Sequence, residues 1–294
     1  MDTPADPGLS AIMSERRQLI NLGYRLLGSL ADAEDVVQET YARWYAMTAA
    51  EQAAIDSPGA WLTTVASRIC LDQLRSARNR RERYVGEWIP EPLPDPDGDP
   101  ADRVTLDESV GMAFLVVLES MTPAERVTFI LHDVFCHPFA EVADIVGRTP
   151  AACRQLAASA RRRVRAAQAV PATPATQSAD VVRNFKEAWE AKDISALIAL
   201  LDPDATAIAD GGGRVNSVLR PIEGGERVAR YTVDITAMVT EMTIVERTVN
   251  GQPGLVAMQN GVIATVMAFD VVGGRIRHIW AVRNPEKLRA WTEG

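Results

Sequence analysis

FAEVADIVGRTPAACRQLAASARRRVR, residues 139–165, reads as two helices joined by a tight turn. Phe139 to Val146 is the first, and Gly147 ends it, because glycine takes the left-handed conformation at a helix C-terminus without a Cβ penalty. Thr149 and Pro150 begin the second: a threonine hydroxyl accepts from early amides, and proline suits the first helical position. Cys153, Leu156, Ala160 and Val164 recur at three and four spacings and form an inward stripe. Ala151, Ala152, Arg154, Gln155, Ala158 and Ser159 are left facing outward near the helix start, with Arg161, Arg162, Arg163 and Arg165 behind them. A helix, a glycine turn and a second helix make a helix-turn-helix, whose early outward positions reach base edges in a major groove. Arginine there fits guanine and glutamine fits adenine. The later arginines suit phosphates.

The net charge of −8 over 294 residues runs against this reading only on average. A phosphate feels charges within about 8–10 Å. Arg75 to Arg83 holds five arginines and one acid, and no acid occurs from Ile145 to Ala179. The acidic remainder weakens nonspecific attraction to DNA, so such a chain depends on a partner to reach it. The length allows two or three domains. No apolar run approaches the ~20 residues of a membrane helix. Met1 to Ser10 lacks the basic start and apolar segment of a secretory signal, so a cytoplasmic protein is expected. Cys70, Cys136 and Cys153 match neither a disulfide framework nor a zinc motif, and no metal or cofactor is implied. Cys153 is read as a small core hydrophobe, and His132 and His137 as structural.

Residues 10–84 carry helical periodicity. In DAEDVVQETYARWY, residues 32–45, Val36, Val37, Tyr41 and Trp44 face inward, while Asp35, Gln38, Glu39 and Arg43 share another face. Asp32 and Asp35 are candidate caps for its N-terminus. Ser57-Pro58 restarts a helix bearing Trp61, Leu62, Val65, Ile69, Leu71 and Leu74. Unpaired bases need flat side chains, at ~1–3 kcal/mol per stacked base, and cations along the phosphates. Trp61, Arg68, Arg75, Arg78, Asn79 and Arg80 follow one another at suitable spacing. Trp61 is read first as a core residue, with stacking as the alternative.

Residues 86–104 form an acidic linker with five prolines and six acids, yet Trp88 and Ile89 sit inside it and need something to pack on. Residues 168–178 are a Pro/Ala/Thr linker. Beyond them, helices at Val181–Ala191 and Ser195–Leu201 precede β-branched runs at 205–209, 241–250, 255–259, 262–271 and 275–282. Helices followed by strands argue an α+β domain with an antiparallel curved sheet.

The order of parts over residues 10–166 resembles the extracytoplasmic-function (ECF) class of RNA polymerase σ factors. The resemblance implies that Asp35, Gln38, Glu39 and Arg43 contact core RNA polymerase, and that Trp61, Arg68, Arg75, Arg78, Asn79 and Arg80 read the promoter −10 element. The loop Met47 to Asp56 would capture a flipped base. Ala151, Ala152, Arg154, Gln155, Ala158, Ser159, Arg161 and Arg162 would read the −35 element. Leu156 and Ser159 stand where arginine is frequent in the class, so base preference does not transfer. VVRNFKEAWEAKDISALIALLDPDATAIADGGG resembles the start of SnoaL-like domains of NTF2-like fold, cones of helices inside a curved sheet. WIPEP (Trp88, Ile89, Pro90, Glu91, Pro92), DGGGR (Asp210, Gly211, Gly212, Gly213, Arg214) and NPEKL (Asn284, Pro285, Glu286, Lys287, Leu288) resemble strings of one σ subgroup. The subgroup carries such a domain fused behind the second DNA-binding domain. Lysine is usual where Arg214 stands.

The implied organisation is a region 2 domain at 1–84, a linker at 85–104, a region 4 helix-turn-helix domain at 105–167, a linker at 168–178 and a SnoaL-like regulatory domain at 179–294. Trp88, Pro90, Glu91, Pro92, Asp210–Arg214, Asn284, Pro285 and Leu288 would form regulatory contacts that replace a separate anti-σ protein. Two other readings stay open. A helix-turn-helix regulator would bind duplex DNA without polymerase. An enzyme would need an acid–base pair inside the cone, with Asp204, Asp210, His278 and Trp280 as candidate groups and a small ligand as partner.

Overall fold

The computed structural model describes residues 7–81, 84–94, 111–167, 173–238 and 241–292. It divides into two compact units, one of Met1–Arg80, Pro100–Thr105 and Val117–Val164, the other of Arg81–Asp99, Leu106–Val116 and Arg165–Gly294.

The first unit is helical. α1 (Pro7–Leu27), α2 (Leu30–Tyr45), α3 (Ala49–Ala53) and α4 (Pro58–Arg81) form its first part. Ser29, not an aspartate, caps α2, accepting from the Asp32 amide at 3.2 Å. Asp32 sits in the first turn instead, where its charge suits the helix dipole. The expected capture loop contains a short helix, α3, closed by a reciprocal Thr48/Glu51 capping box. α5 (Met112–Glu119) begins in the second unit and ends in the first. α6 (Pro123–Phe129) starts with a second capping box, Thr122/Glu125, and loosens into a π-turn over Ile130–Val134. α7 (Phe139–Val146) ends at Gly147 with φ 69° and ψ 45°, and α8 (Pro150–Ala167) follows, so the helix-turn-helix is present. Leu19, Leu22, Tyr24, Leu26, Val36, Leu62 and Ala66 are buried, as are Leu118, Ile130, Leu131, Val142 and Ala157.

The second unit holds α9 (Ala175–Glu190), α10 (Ile194–Leu200) and α11 (Gly225–Met238) against one sheet. Its strands are β1 (Leu201–Asp210), β2 (Ile222–Glu223), β3 (Met242–Val249), β4 (Gln252–Gln259), β5 (Val262–Val272) and β6 (Arg275–Val282), in the order β2-β1-β6-β5-β4-β3. β1 and β6 run parallel, so the sheet is mixed rather than wholly antiparallel. The chain returns to β1 only after α11 and the β3–β6 meander, a connection long enough to enter from the same end. α9 begins within the stretch read as a linker, and α11 had no counterpart in the sequence reading.

Side chains alternate across the strands. Leu255, Ala257, Met267, Phe269 and Ile279 pack against Phe185, Trp189, Leu197 and Val228 of the helices. Val256, Val266, Ala268, Trp280 and Val282 face the other way, onto Ile89, Met112 and Leu288. Burial of each large apolar side chain is worth ~1.5–3 kcal/mol. The second face therefore depends on segments from the middle and the end of the chain.

Candidate functional site

On α2, Asp35, Gln38, Glu39 and Arg43 are all exposed, and Arg43 Nε lies 2.8 Å from Glu39 Oε1. An exposed pair of this kind contributes little by itself, so this face remains available to a larger partner. Trp61 is half-buried and packs edge-on against the likewise half-buried Trp44 at 5.2 Å. Arg68 and Arg75 are exposed; Arg75 pairs with Asp72 at 3.2 Å. The backbone of α4 continues through Arg78, Asn79 and Arg80, whose side chains lie outside the described residues.

On α8, Ala151, Arg154, Gln155 and Arg162 are exposed, and Ala152, Ala158, Ser159 and Arg161 partly buried. Thr149 Oγ1 accepts from the Ala152 amide at 3.2 Å, the expected cap. The buried stripe is Cys153, Ala157 and Ala160. Leu156 is only half-buried, because Ala157 lies a full turn from Cys153 and centres the stripe one position later. Ser159 is partly buried and lies near enough to the Glu125 carboxylate to favour its charged form. Burial pushes the Glu125 carboxyl up, but Thr122, Ser159 and Arg163 outweigh it and hold the group below the usual carboxylate range. Arg161 pairs with Asp133 at 2.5 Å, and the Arg154 guanidinium rests 5.6 Å above the Phe139 ring. Phe139 stacks on His132 at 3.7 Å, and His137 Nδ1 lies 3.0 Å from Glu141, so both histidines have structural partners. Cys153 is buried, and burial pushes its thiol up.

The three short strings meet around one buried carboxylate. Asp210, fully buried at the end of β1, accepts from the Tyr84 hydroxyl at 2.6 Å and the Gly212 amide at 3.0 Å through Oδ1. Its Oδ2 accepts from the Ile89 amide at 3.0 Å and from Lys287 Nζ at 2.6 Å. Lys287 also donates to the Ile89 carbonyl, and its ammonium lies 4.0 Å from the centroid of the Trp88 ring. Asn284 Nδ2 donates to Tyr84 at 3.1 Å, and the Asp210 carbonyl takes the Asn284 amide at 2.9 Å. Burial, then the neighbouring Asp210, pushes the Tyr84 phenol well up, so it stays a donor. Pro90, Glu91, Pro92 and Leu93 are buried. Trp291 donates to the Pro92 carbonyl at 2.8 Å, and Leu93 and Asn250 exchange amide bonds. Arg214 and Glu286 form an exposed pair at 2.5 Å; Gly213 and Pro285 are exposed, Gly211 and Leu288 buried. Sequence reasoning named Asp210 and Leu288 but missed Tyr84 and Lys287. Lys287 was within reach, since it lies inside the quoted NPEKL string.

The groups suggested for an acid–base pocket do not converge. Asp204 is exposed, Asp210 belongs to the cluster just described, and His278 stacks with Trp280 on the sheet face opposite the helices. The core cluster between sheet and helices is built from apolar side chains, and the buried Thr232 hydroxyl of α11 is spent on the Val228 carbonyl at 2.8 Å. Among the described residues no group of His, Cys, Asp and Glu could hold a metal, and no helix is long and apolar enough to cross a membrane.

Residues 11–80 match the family model Sigma-70 region 2, and residues 111–164 match Sigma-70, region 4. The ECF RNA polymerase sigma factor SigJ of Mycobacterium tuberculosis is 36% identical over 287 residues, covering 93% of this chain and 90% of SigJ. The chain belongs to the ECF RNA polymerase σ factors. The probable ECF σ factor SigI of the same species is 34% identical, covering 96% of this chain and 95% of SigI. The crystal structure of SigJ superposes with a TM-score of 0.77 at 34% identity, covering 96% of this chain and 98% of SigJ. This ECF σ factor is thus an alternative σ factor that directs transcription. Its σ regions are of the kind that bind RNA polymerase and promoter DNA. The family's members are not enzymes. In this σ factor the helical regions are followed by an α+β domain built on one six-stranded mixed sheet, as part of a fold shared with SigJ over nearly the whole chain.

Proposed function

We propose that this ECF σ factor works in the cytoplasm and is controlled by its own C-terminal domain, which holds the connection between regions 2 and 4 and so replaces a separate anti-σ protein. The supporting observation is that residues 84–94 are not a free spacer. They are fixed in the second unit by the Asp210–Lys287 pair, the Tyr84 hydroxyl and the burial of Ile89. Two promoter boxes must be reached at once, region 2 reading the −10 element with Arg68, Arg75 and the end of α4, and region 4 the −35 element with Arg154, Gln155 and Arg162. The α2 face of Asp35, Gln38, Glu39 and Arg43 docks on polymerase. A connector anchored at both Tyr84–Pro94 and Met112–Val116 restricts how far the regions separate, and a change of ~1.4 kcal/mol in the anchor shifts the restricted and extended populations tenfold.

Run-off transcription with core polymerase tests this, comparing the full chain, Lys287→Met and a chain ending at residue 170. Changed output from the cognate promoter in the two altered chains is expected. Unchanged output from both, with intact polymerase binding, would exclude C-terminal control.

A further inference from the structure

Within the first unit, regions 2 and 4 meet through arginines. Arg126 of α6 is 2% exposed. Its Nη1 donates to the Leu26 carbonyl at 2.9 Å and to Glu119 Oε1 at 2.6 Å. Leu26 lies in the last turn of α1, where carbonyls have no intrahelical partner and cations are favoured. Arg25, from the same turn and also buried, sits 5.7 Å over the Phe135 ring of region 4. Arg68 of α4 donates to the Asp144 carbonyl in the last turn of α7, at 3.4 Å.

We infer that Arg25, Arg68 and Arg126 form a clasp that holds regions 2 and 4 of the free σ factor together, and that it must open before both regions engage a promoter. Arg68 is shared: the guanidinium read above as a −10 contact is the one that holds Asp144, so clasp and DNA compete for it. That sharing rests on the proposed role of Arg68; the clasp itself does not. Every residue of the clasp lies in the first unit, so it acts apart from the Asp210–Lys287 anchor.

The clasp is built to release. A buried guanidinium gives up hydration, and attraction to its partners repays this only when all its donors are satisfied. Arg126 Nε and the nearby helix's Asn21 Oδ1 have no hydrogen-bond partner among the described residues. Burial pushes the Arg126 guanidinium down to about 9, so it is still charged at neutral pH while it sits inside. A buried charged contact with an unsatisfied donor holds two domains more weakly than one whose donors are all met, and polymerase can outcompete it.

The test uses the full chain. Cys136 is exposed while Cys70 and Cys153 are buried, so one dye goes on Cys136 and a second on Tyr45→Cys, a residue 65% exposed. Energy transfer is measured in the free protein and with core polymerase. Transfer should fall when polymerase is added. It should fall without polymerase in Arg126→Met, and less in Phe135→Leu, with polymerase affinity rising several-fold. Circular dichroism checks that each variant keeps its helices; if Arg126→Met does not fold, Phe135→Leu and Arg68→Gln carry the test. Folded variants with wild-type transfer would overturn the clasp. Lys287→Met separates the two ideas: opening only there supports C-terminal control and removes the clasp, whereas opening only in the arginine variants does the reverse.

Discussion

Lys287 brings an ammonium into a space bounded by a carboxylate, a carbonyl and the faces of Trp88 and Tyr84. Its value is in pairing: a lone carboxylate at Asp210, with no exposure, has no water to fall back on. Lys287→Met is expected to destabilise the second unit by ~3–5 kcal/mol, the usual cost of stripping one partner from a buried pair. Asp210→Asn combined with Lys287→Met should recover part of that loss, because the uncompensated charge is gone; urea unfolding of the single and double variants measures it. Gly212 is constrained differently. Its φ is 62°, and an added Cβ would lie 2.4 Å from Asn284 Nδ2. Gly212→Ala should cost ~1–3 kcal/mol through backbone strain and displacement of Asn284, read in the same experiment. These residues lie far apart in sequence, and spacing rules see only a few residues ahead. The strings could be recognised as related, but which atom meets which could not be read from them.

At the scale of the element, the proposed reading role of α8 falls on its exposed first turns, while its later residues brace region 4. Arg154 and Gln155 are exposed on its first turns, whereas Ser159 and Arg161 are engaged by Glu125 and Asp133. Gln155→Ala should cost ~1–3 kcal/mol of discrimination at one base pair of the −35 element. Ser159→Ala should leave base preference unchanged and lower the melting temperature instead, since it removes a partner of the Glu125 capping box. Arg162→Ala should weaken all sequences alike and reduce the salt slope of binding by about 1. Band shifts on a panel of single-base promoter variants separate the three. The helix-turn-helix was legible because Gly147, Thr149 and Pro150 each carry a local physical rule. Glu125 reaching Ser159 is tertiary, and no local rule foretells it. α11 was hidden because Gly224-Gly225 reads as a turn, whereas Gly225 opens a helix. The parallel pairing of β1 with β6 is topological, and β-branched runs carry no strand direction.

For the molecule as a whole, the sheet of the second unit is covered on one face by its own helices and on the other by residues from the middle and end of the chain. His278 stands on that second face beside Trp280. Burial holds its imidazole below the usual 6.5, outweighing the opposing pull of Asp270. The unfolded chain then takes up a proton near pH 6.5 that the folded chain refuses, so stability is full above that pH and is lost as pH falls toward the folded value. His278→Gln should flatten this part of the Tm-against-pH curve relative to wild type. The same face sets a larger dependence. A chain of residues 173–294 alone would leave Val256, Val266, Trp280 and Val282 without Ile89 and Met112, at ~1.5–3 kcal/mol for each large side chain uncovered. It should melt well below the full chain and bind a hydrophobic dye, and a peptide of residues 84–94 added in trans should raise its Tm and displace the dye. The peptide with Ile89 replaced by aspartate should do neither, because its apolar anchor is lost. If 173–294 melted like the full chain and ignored the peptide, the σ linker would be a passenger on the sheet rather than part of its core.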